Sequence, residues 1–229
     1  MKHHCLSLAL AAMFGCALLG CGNSDSEGTS PSADVPLEET APSVEVSKVG
    51  FTPEAIALRE IKDSDLKELV DDRLVFVDSA GVEWVAPRGT RTDGASVPRL
   101  ALPVTDGRFD KAFLKAAVIH DAYCQSDNEA VCPDQYRSRR WREVHRMFYE
   151  ASIAGGASEE IALVMFAAVW LGGPRWNDPE HSLDEVPAER LEAEFAACKD
   201  WIGRESPTVQ EVEAWMDKRE PALRGLEPQ

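Results

Sequence analysis

The stretch SEEIALVMFAAVWL, residues 158–171, most limits how this chain can fold. Past its two acidic residues it is apolar on every side. A helix of that kind has no face to give to water, so it must lie in the core with other elements around it. Gly155-Gly156 ends the segment before it, and Gly172-Gly173-Pro174 ends the helix itself.

The neighbouring segments supply what surrounds it. Phe109 to Cys124 carries Phe113, Leu114, Ala117 and Val118 at helical spacing. A polar loop follows to Tyr136, and a second helix from Arg137 to Ala154 buries Trp141, Val144, Phe148 and Ala151. Upstream, Leu74–Val77 and Val82–Val85 are β-branched and aromatic runs, joined by Asp78-Ser79-Ala80-Gly81 as a hairpin turn. Residues 63–72 are polar and lead into the folded part; APRGTRTDGASVPR, 86–99, reads as loop. Downstream, Pro187 to Trp201 sets Leu191, Phe195 and Cys198 on one face, and Thr208 with Glu211 makes a capping-box start for a last short helix. These two helices are charge-rich and are expected on the outside of the core. The expected class is α+β: a small N-terminal β-hairpin or sheet, a core of three main α-helices, and a C-terminal helical appendage. A core over 63–178 can bury about two thirds of its unfolded surface, and needs neither metal nor disulfide to fold.

The N-terminus speaks of place. Lys2, His3 and His4 precede an apolar run from Leu6 to Leu19 that is too short for a stop-transfer helix. It ends in Leu18-Leu19-Gly20-Cys21, which resembles the bacterial lipobox, whose cysteine is lipidated and becomes the mature N-terminus. Residues 22–47, rich in Ser, Glu, Pro and Asp, cannot bury enough surface to offset chain entropy. The expected organisation is a lipoprotein signal peptide at 1–20, a lipidated disordered tether at 21–47, a domain at 48–180 and a helical extension at 181–229. By the same resemblance, Gly22 after the cysteine favours the outer membrane over the inner. The expected location is the cell envelope, lipid-anchored, with a protein or envelope component as partner. A net charge of −16 argues against nucleic acid. Processing would leave Cys124, Cys132 and Cys198 as thiols in an oxidising compartment. Cys124 and Cys132 are nearest in sequence, and closing that loop would contribute roughly 2.5 kcal/mol.

Candidate chemistry gathers at VIHDAYC, 118–124. There is no phosphate loop, dinucleotide fingerprint or His-Glu-x-x-His motif. Gly94-Ala95-Ser96-Val97 approaches a nucleophile elbow, but Pro98 stands where a second Gly is needed. Past the signal, the histidines are His120, His145 and His181. His120 near a helix C-terminus is favoured by the dipole, and Asp121 beside it is not. Something must hold Asp121: a cation, an arginine or backbone donors. Tyr123 and Cys124 can share the His120 face. Arg137, Arg139 and Arg140 are the nearest counter-charge. One reading has His120 and Asp121 bonded to Arg137 or to the Thr-Asp-Gly loop at 92–94, simply fixing the helix.

RTDGASVPR (91–99), KAAVIHDAYC (115–124), an Arg-rich helix and AAVWLGGPRW (167–176) together resemble the domain family DUF1353 of tailed phages and bacteria, over roughly 73–176. The resemblance implies an α+β domain and supplies no reaction. Three departures stand out. Leu100 and Ala101 follow Pro-Arg where an aromatic is usual. Tyr123 comes one place early. His145 occupies the place of an Asp, three before Phe148. A weaker similarity is to secreted phospholipase A(2)-type enzymes, which also carry His-Asp on a helix with a Tyr soon after. It implies His120 as general base for water and Asp121 as a calcium ligand. Asp93 and Gly94 would supply loop carbonyls, and His145 would stand where an orienting carboxylate belongs. A further alternative makes His120, Asp121 and His145 ligands of a transition metal.

Overall fold

The computed structural model describes residues 48–94 and 111–226, all within one compact unit, 45–229. The signal segment 1–20, the tether 21–47 with Cys21, and residues 95–110 with Ser96 lie outside the described residues. No described helix is long and apolar enough to cross a membrane.

The fold is α+β, with two three-stranded antiparallel sheets followed by five α-helices. One sheet has the order β1 (Gly50–Thr52), β4 (Arg73–Val77), β5 (Glu83–Pro87). The hairpin expected from sequence is its centre: Phe76 pairs with Trp84 and Leu74 with Ala86, which puts all four on one buried face. Asp78 builds the turn. Its Oδ1 accepts from the Ala80 and Val82 N–H groups (2.9 and 2.8 Å), and its Oδ2 accepts from Trp84 Nε1 (2.8 Å).

The second sheet departs from the sequence reading. β2 (Leu58–Glu60), β3 (Lys67–Leu69) and β6 (Arg91–Thr92) pair in that order. Residues 63–72, expected as a lead-in, contain β3, and the loop expected at 86–99 contains β6. These strands are two or three residues long and largely polar, so no alternation exists to announce them.

The helices are α1 (Lys111–Cys124), α2 (Trp141–Ala154), α3 (Glu159–Gly172), α4 (Ala188–Glu205) and α5 (Val209–Leu223). α2 begins four residues later than the periodicity suggests. The basic run 137–140 before it belongs to the loop, where Arg137 has φ +54°. α3 takes the central place demanded by its sequence: α2, α4 and α5 pack on it, and ten consecutive residues, Ala162–Leu171, are buried. Ser158 caps it, its Oγ accepting from the Ile161 N–H. α1 packs against α2 and against strands of both sheets. Where α1 begins and α2 ends the backbones nearly touch, so a Cβ on Gly155 would collide with the Ala112 carbonyl.

The C-terminal helices join the same core. Phe195, Cys198, Ile202, Val212, Met216 and Leu223 are buried within it. The capping box is formed at Thr208 and Glu211. Ion pairs tie α5 back to α2 through Arg142–Asp217 and Arg146–Glu213, and to the segment after α3 through the buried pair Arg175–Glu220.

Candidate functional site

α1 ends against β6 and α2, so its last turn has no exposed side. Ala116 to Cys124 are buried without a break, His120 and Asp121 completely so. A polar group in such a place must find partners in the protein. Asp121 turns to β6: its Oδ2 accepts from Thr92 Oγ1 at 2.6 Å, and Thr92 Oγ1 in turn accepts from the Gly94 N–H at 3.0 Å. The Asp121 carbonyl at the helix end accepts from Asn128 Nδ2 at 2.8 Å. The same amide donates to the Arg91 carbonyl (2.7 Å) and accepts from the Arg91 N–H (2.8 Å), as the backbone of a neighbouring strand would. Asn128 therefore extends the edge of β6 and closes the end of α1 together.

His120 turns the other way. Its Nε2 lies 3.0 Å from Nδ1 of His145 on α2. Its Nδ1 lies 3.3 Å from Cys124 Sγ, one helical turn on, and 3.5 Å from Asp121 Oδ1. His145 is also fully buried, between Trp141 (5.4 Å between rings) and Trp176 (6.3 Å). Its Nε2 meets no hydrogen-bond partner and faces Gly173, where a Cβ would press on the imidazole and on the Val169 carbonyl. Gly173 is thus more than a stop signal; its bare backbone makes room for the ring. Burial, then His120 and Arg175, hold His145 well below the ordinary 6.5, with the Pro174 carbonyl pulling the other way. His145 is a neutral ring.

Cys124 is a thiol. Burial, then the charges of Asp121 and Asp93, raise its pKa well above 9.0. The Cys124–Cys132 disulfide entertained from sequence is not formed: both are free, and each sulfur has a different neighbour. Cys132 Sγ lies 3.3 Å from Thr90 Oγ1, while Cys124 Sγ is at His120.

The other sequence candidates divide. The Thr-Asp-Gly loop does meet the end of α1, through Thr92, and Asp93 is near enough to bias Cys124. Tyr123 points away: its hydroxyl accepts from the Val85 N–H at 3.2 Å and its ring meets Trp84 edge-on. Arg137 is not the counter-charge of Asp121. Its guanidinium lies over the Tyr136 ring, and its N–H is held by the Tyr123 carbonyl at 2.8 Å. Thr92, Asn128 and Cys124 complete the cluster. The position of Cys124, four after His120, and the Thr-Asp-Gly loop that holds Thr92 gave a signal in advance; nothing marked Asn128.

For a metal, His120, Asp121 and Cys124 offer ligand atoms within 4.8 Å of one another. Bonds of about 2.0–2.3 Å in a tetrahedral zinc site would put ligands about 3.3–3.7 Å apart. The separations of 3.3 and 3.5 Å around His120 Nδ1 fall in that range. A metal there would have to displace the Cys124 proton. His145 faces the other nitrogen of His120, so His120 cannot bring it and Asp121 to one ion through a single ring atom.

Fold and cluster define a small α+β domain closed around a buried His–His–Asp–Cys constellation. Residues 69–169 match the model of DUF1353, a family described as protein of unknown function, and the chain carries a domain of that family. It is similar to y4iH, an uncharacterized protein of Sinorhizobium fredii (strain NBRC 101917 / NGR234): 35% identical over 135 residues, 59% of this chain and 49% of that one. It is also similar to y4jT, an uncharacterized protein of the same organism: 39% identical over 102 residues, 44% of this chain and 27% of that one. The matched segments span about half or less of these relatives. No solved structure matches the chain.

Proposed function

We propose that this is a lipid-anchored envelope protein whose DUF1353 domain binds a partner and hydrolyses nothing. The anchor rests on the sequence ending in Leu18-Leu19-Gly20-Cys21 and on the polar linker after it. One observation carries the rest. With Nε2 of His120 on His145, Nδ1 is the nitrogen left for a water molecule, and it is taken up by Cys124 and Asp121 of its own helix. A general base must reach the proton it removes, and His120 is fully buried. The residue beside it is also the wrong kind, since a neutral imidazole stabilises an imidazolium far less than a carboxylate does. The cluster works instead as a pin that holds β6 to α1 and α1 to α2.

The test is His120→Asn in the full-length protein. The wild type should turn over neither labelled phospholipid nor small esters at any calcium concentration. The variant should lose roughly 2–4 kcal/mol in urea unfolding as buried partners go unmatched. Wild-type turnover that disappears both in the variant and on chelation would overturn the reading in favour of a calcium-dependent hydrolase.

A further inference from the structure

The chain has 40 acidic residues against 24 lysines and arginines, so a surface arginine has carboxylates to spare. Ion pairs indeed occupy Arg59, Arg88, Arg142, Arg146, Arg175 and Arg219. Arg137, Arg139 and Arg140 are different. Three guanidinium groups within four residues have no carboxylate within 4.0 Å among the described residues.

They are also held in place. The Arg137 N–H is fixed by the Tyr123 carbonyl at 2.8 Å, in left-handed backbone that costs a non-glycine residue. The Arg139 carbonyl accepts from Trp176 Nε1 at 2.7 Å, and its guanidinium lies 4.8 Å over the Trp84 ring. Together with Arg142 they line a surface cleft of about 440 Å³. Trp141, Trp176, Asn177 and Asp178 complete its wall. Asp178 is the one carboxylate there, and its oxygens are engaged by Trp141 Nε1 (2.8 Å) and His181 Nδ1 (2.6 Å). The first turn of α2 opens on the cleft, and the Arg140 side chain does not cap it.

We infer that this cleft binds a phosphorylated ligand carrying at least two negative charges. Planar guanidinium groups match phosphoryl oxygens two at a time, and several converging on one ligand select a multiply charged anion over a single carboxylate. The volume suits a ligand of small-molecule size. The overall charge of −16 works against long polyanions such as nucleic acid, which would meet repulsion away from this one patch. The inference rests on the reading of the domain as a binding module, and it names the ligand class.

The probe is inorganic pyrophosphate, titrated calorimetrically into the full-length protein and into Arg137→Gln, Arg139→Gln, Arg140→Gln and the triple variant. Each single change should weaken binding about tenfold, and the triple variant should not bind. Arg140→Gln should melt with the wild type, and Arg137→Gln and Arg139→Gln within a few degrees of it, since they lose only the contacts with the Tyr136 and Trp84 rings. Absence of pyrophosphate binding at millimolar concentration, or binding indifferent to the triple change, overturns the inference. A second arm identifies the source. Vesicles of phosphatidylcholine with phosphatidylglycerol, offered to Cys21→Ser protein and displaced by pyrophosphate, point to a lipid headgroup. Pyrophosphate binding without vesicle binding points to a soluble phosphorylated ligand. Failure here leaves ester hydrolysis absent, whereas failure of the binding-module reading appears as turnover that depends on His120.

Discussion

A neutral His145 makes the domain sensitive to acid. In the unfolded chain that imidazole takes a proton as the pH falls through about 6.5; in the folded protein it resists to well below that value. The contribution to stability is whole above pH 6.5 and is lost as the pH drops toward the depressed folded value, at about 1.4 kcal/mol per unit. Urea unfolding of the wild type at pH 7.5 and 5.5 should therefore differ by about 1.4 kcal/mol more than that of His145→Gln. An equal acid loss in both would place the sensitivity elsewhere. The residues of this cluster were partly legible. His120 and Asp121 stood out because the helix dipole favours one and opposes the other, and His145 because it is one of three histidines past the signal and stands where the family resemblance has an Asp. The loop at 92–94 was legible as a partner of the pair, but not that Thr92 is the residue that reaches Asp121, and Asn128 was not legible at all. Thr92 meets Asp121 from 29 residues away and Asn128 meets Arg91 from 37, and no local pattern records such pairings.

Among the elements, those with a period were readable and those without were not. α3 announced itself by being apolar all round, α5 by its capping box and the β4–β5 hairpin by its turn. β2, β3 and β6 have too few residues to alternate, and β6 is fixed mainly by what lies against it. Asn128 is the test of that dependence. Asn128→Ala removes the partners of both the Arg91 N–H and carbonyl and one of the partners of the Asp121 carbonyl. The loss should be roughly 2–3 kcal/mol, which for a domain of this size lowers the melting temperature by about 5–10 °C. Hydrogen exchange should speed up in β6 before it does in α3. A variant that melts with the wild type would mean that β6 is held by β3 alone.

For the molecule as a whole, the sequence carried the fold class and the centre of the domain, because one helix needed cover and four segments could provide it. It did not carry the integration of the C-terminal helices. Arg175 reaches Glu220 across 45 residues, and only the folded chain shows that both are buried. The proposed attachment to the envelope would be a property of the whole chain, turning on one atom, the Cys21 sulfur. Cys21→Ser should move the protein from the membrane fraction to the soluble fraction, with no change in the melting of the domain. Several acyl chains at about 0.8 kcal/mol per buried methylene hold firmly, so partial release is not expected. A variant that still pellets with washed membranes would refute the anchor.

The aromatic cage around His145 also has an optical consequence. Three of the six tryptophans, Trp141, Trp170 and Trp176, form a chain about that ring: Trp141 and Trp176 face the imidazole, and Trp170 meets Trp141 at 4.9 Å. An imidazolium at such range drains the excited state of an indole, and a neutral imidazole does so weakly. In a His181→Gln variant, which removes the half-exposed histidine that shares Asp178 with Trp141, the native emission should therefore hold steady as the pH passes the value at which exposed histidines charge. The domain carries its own dye for the protonation state of its centre.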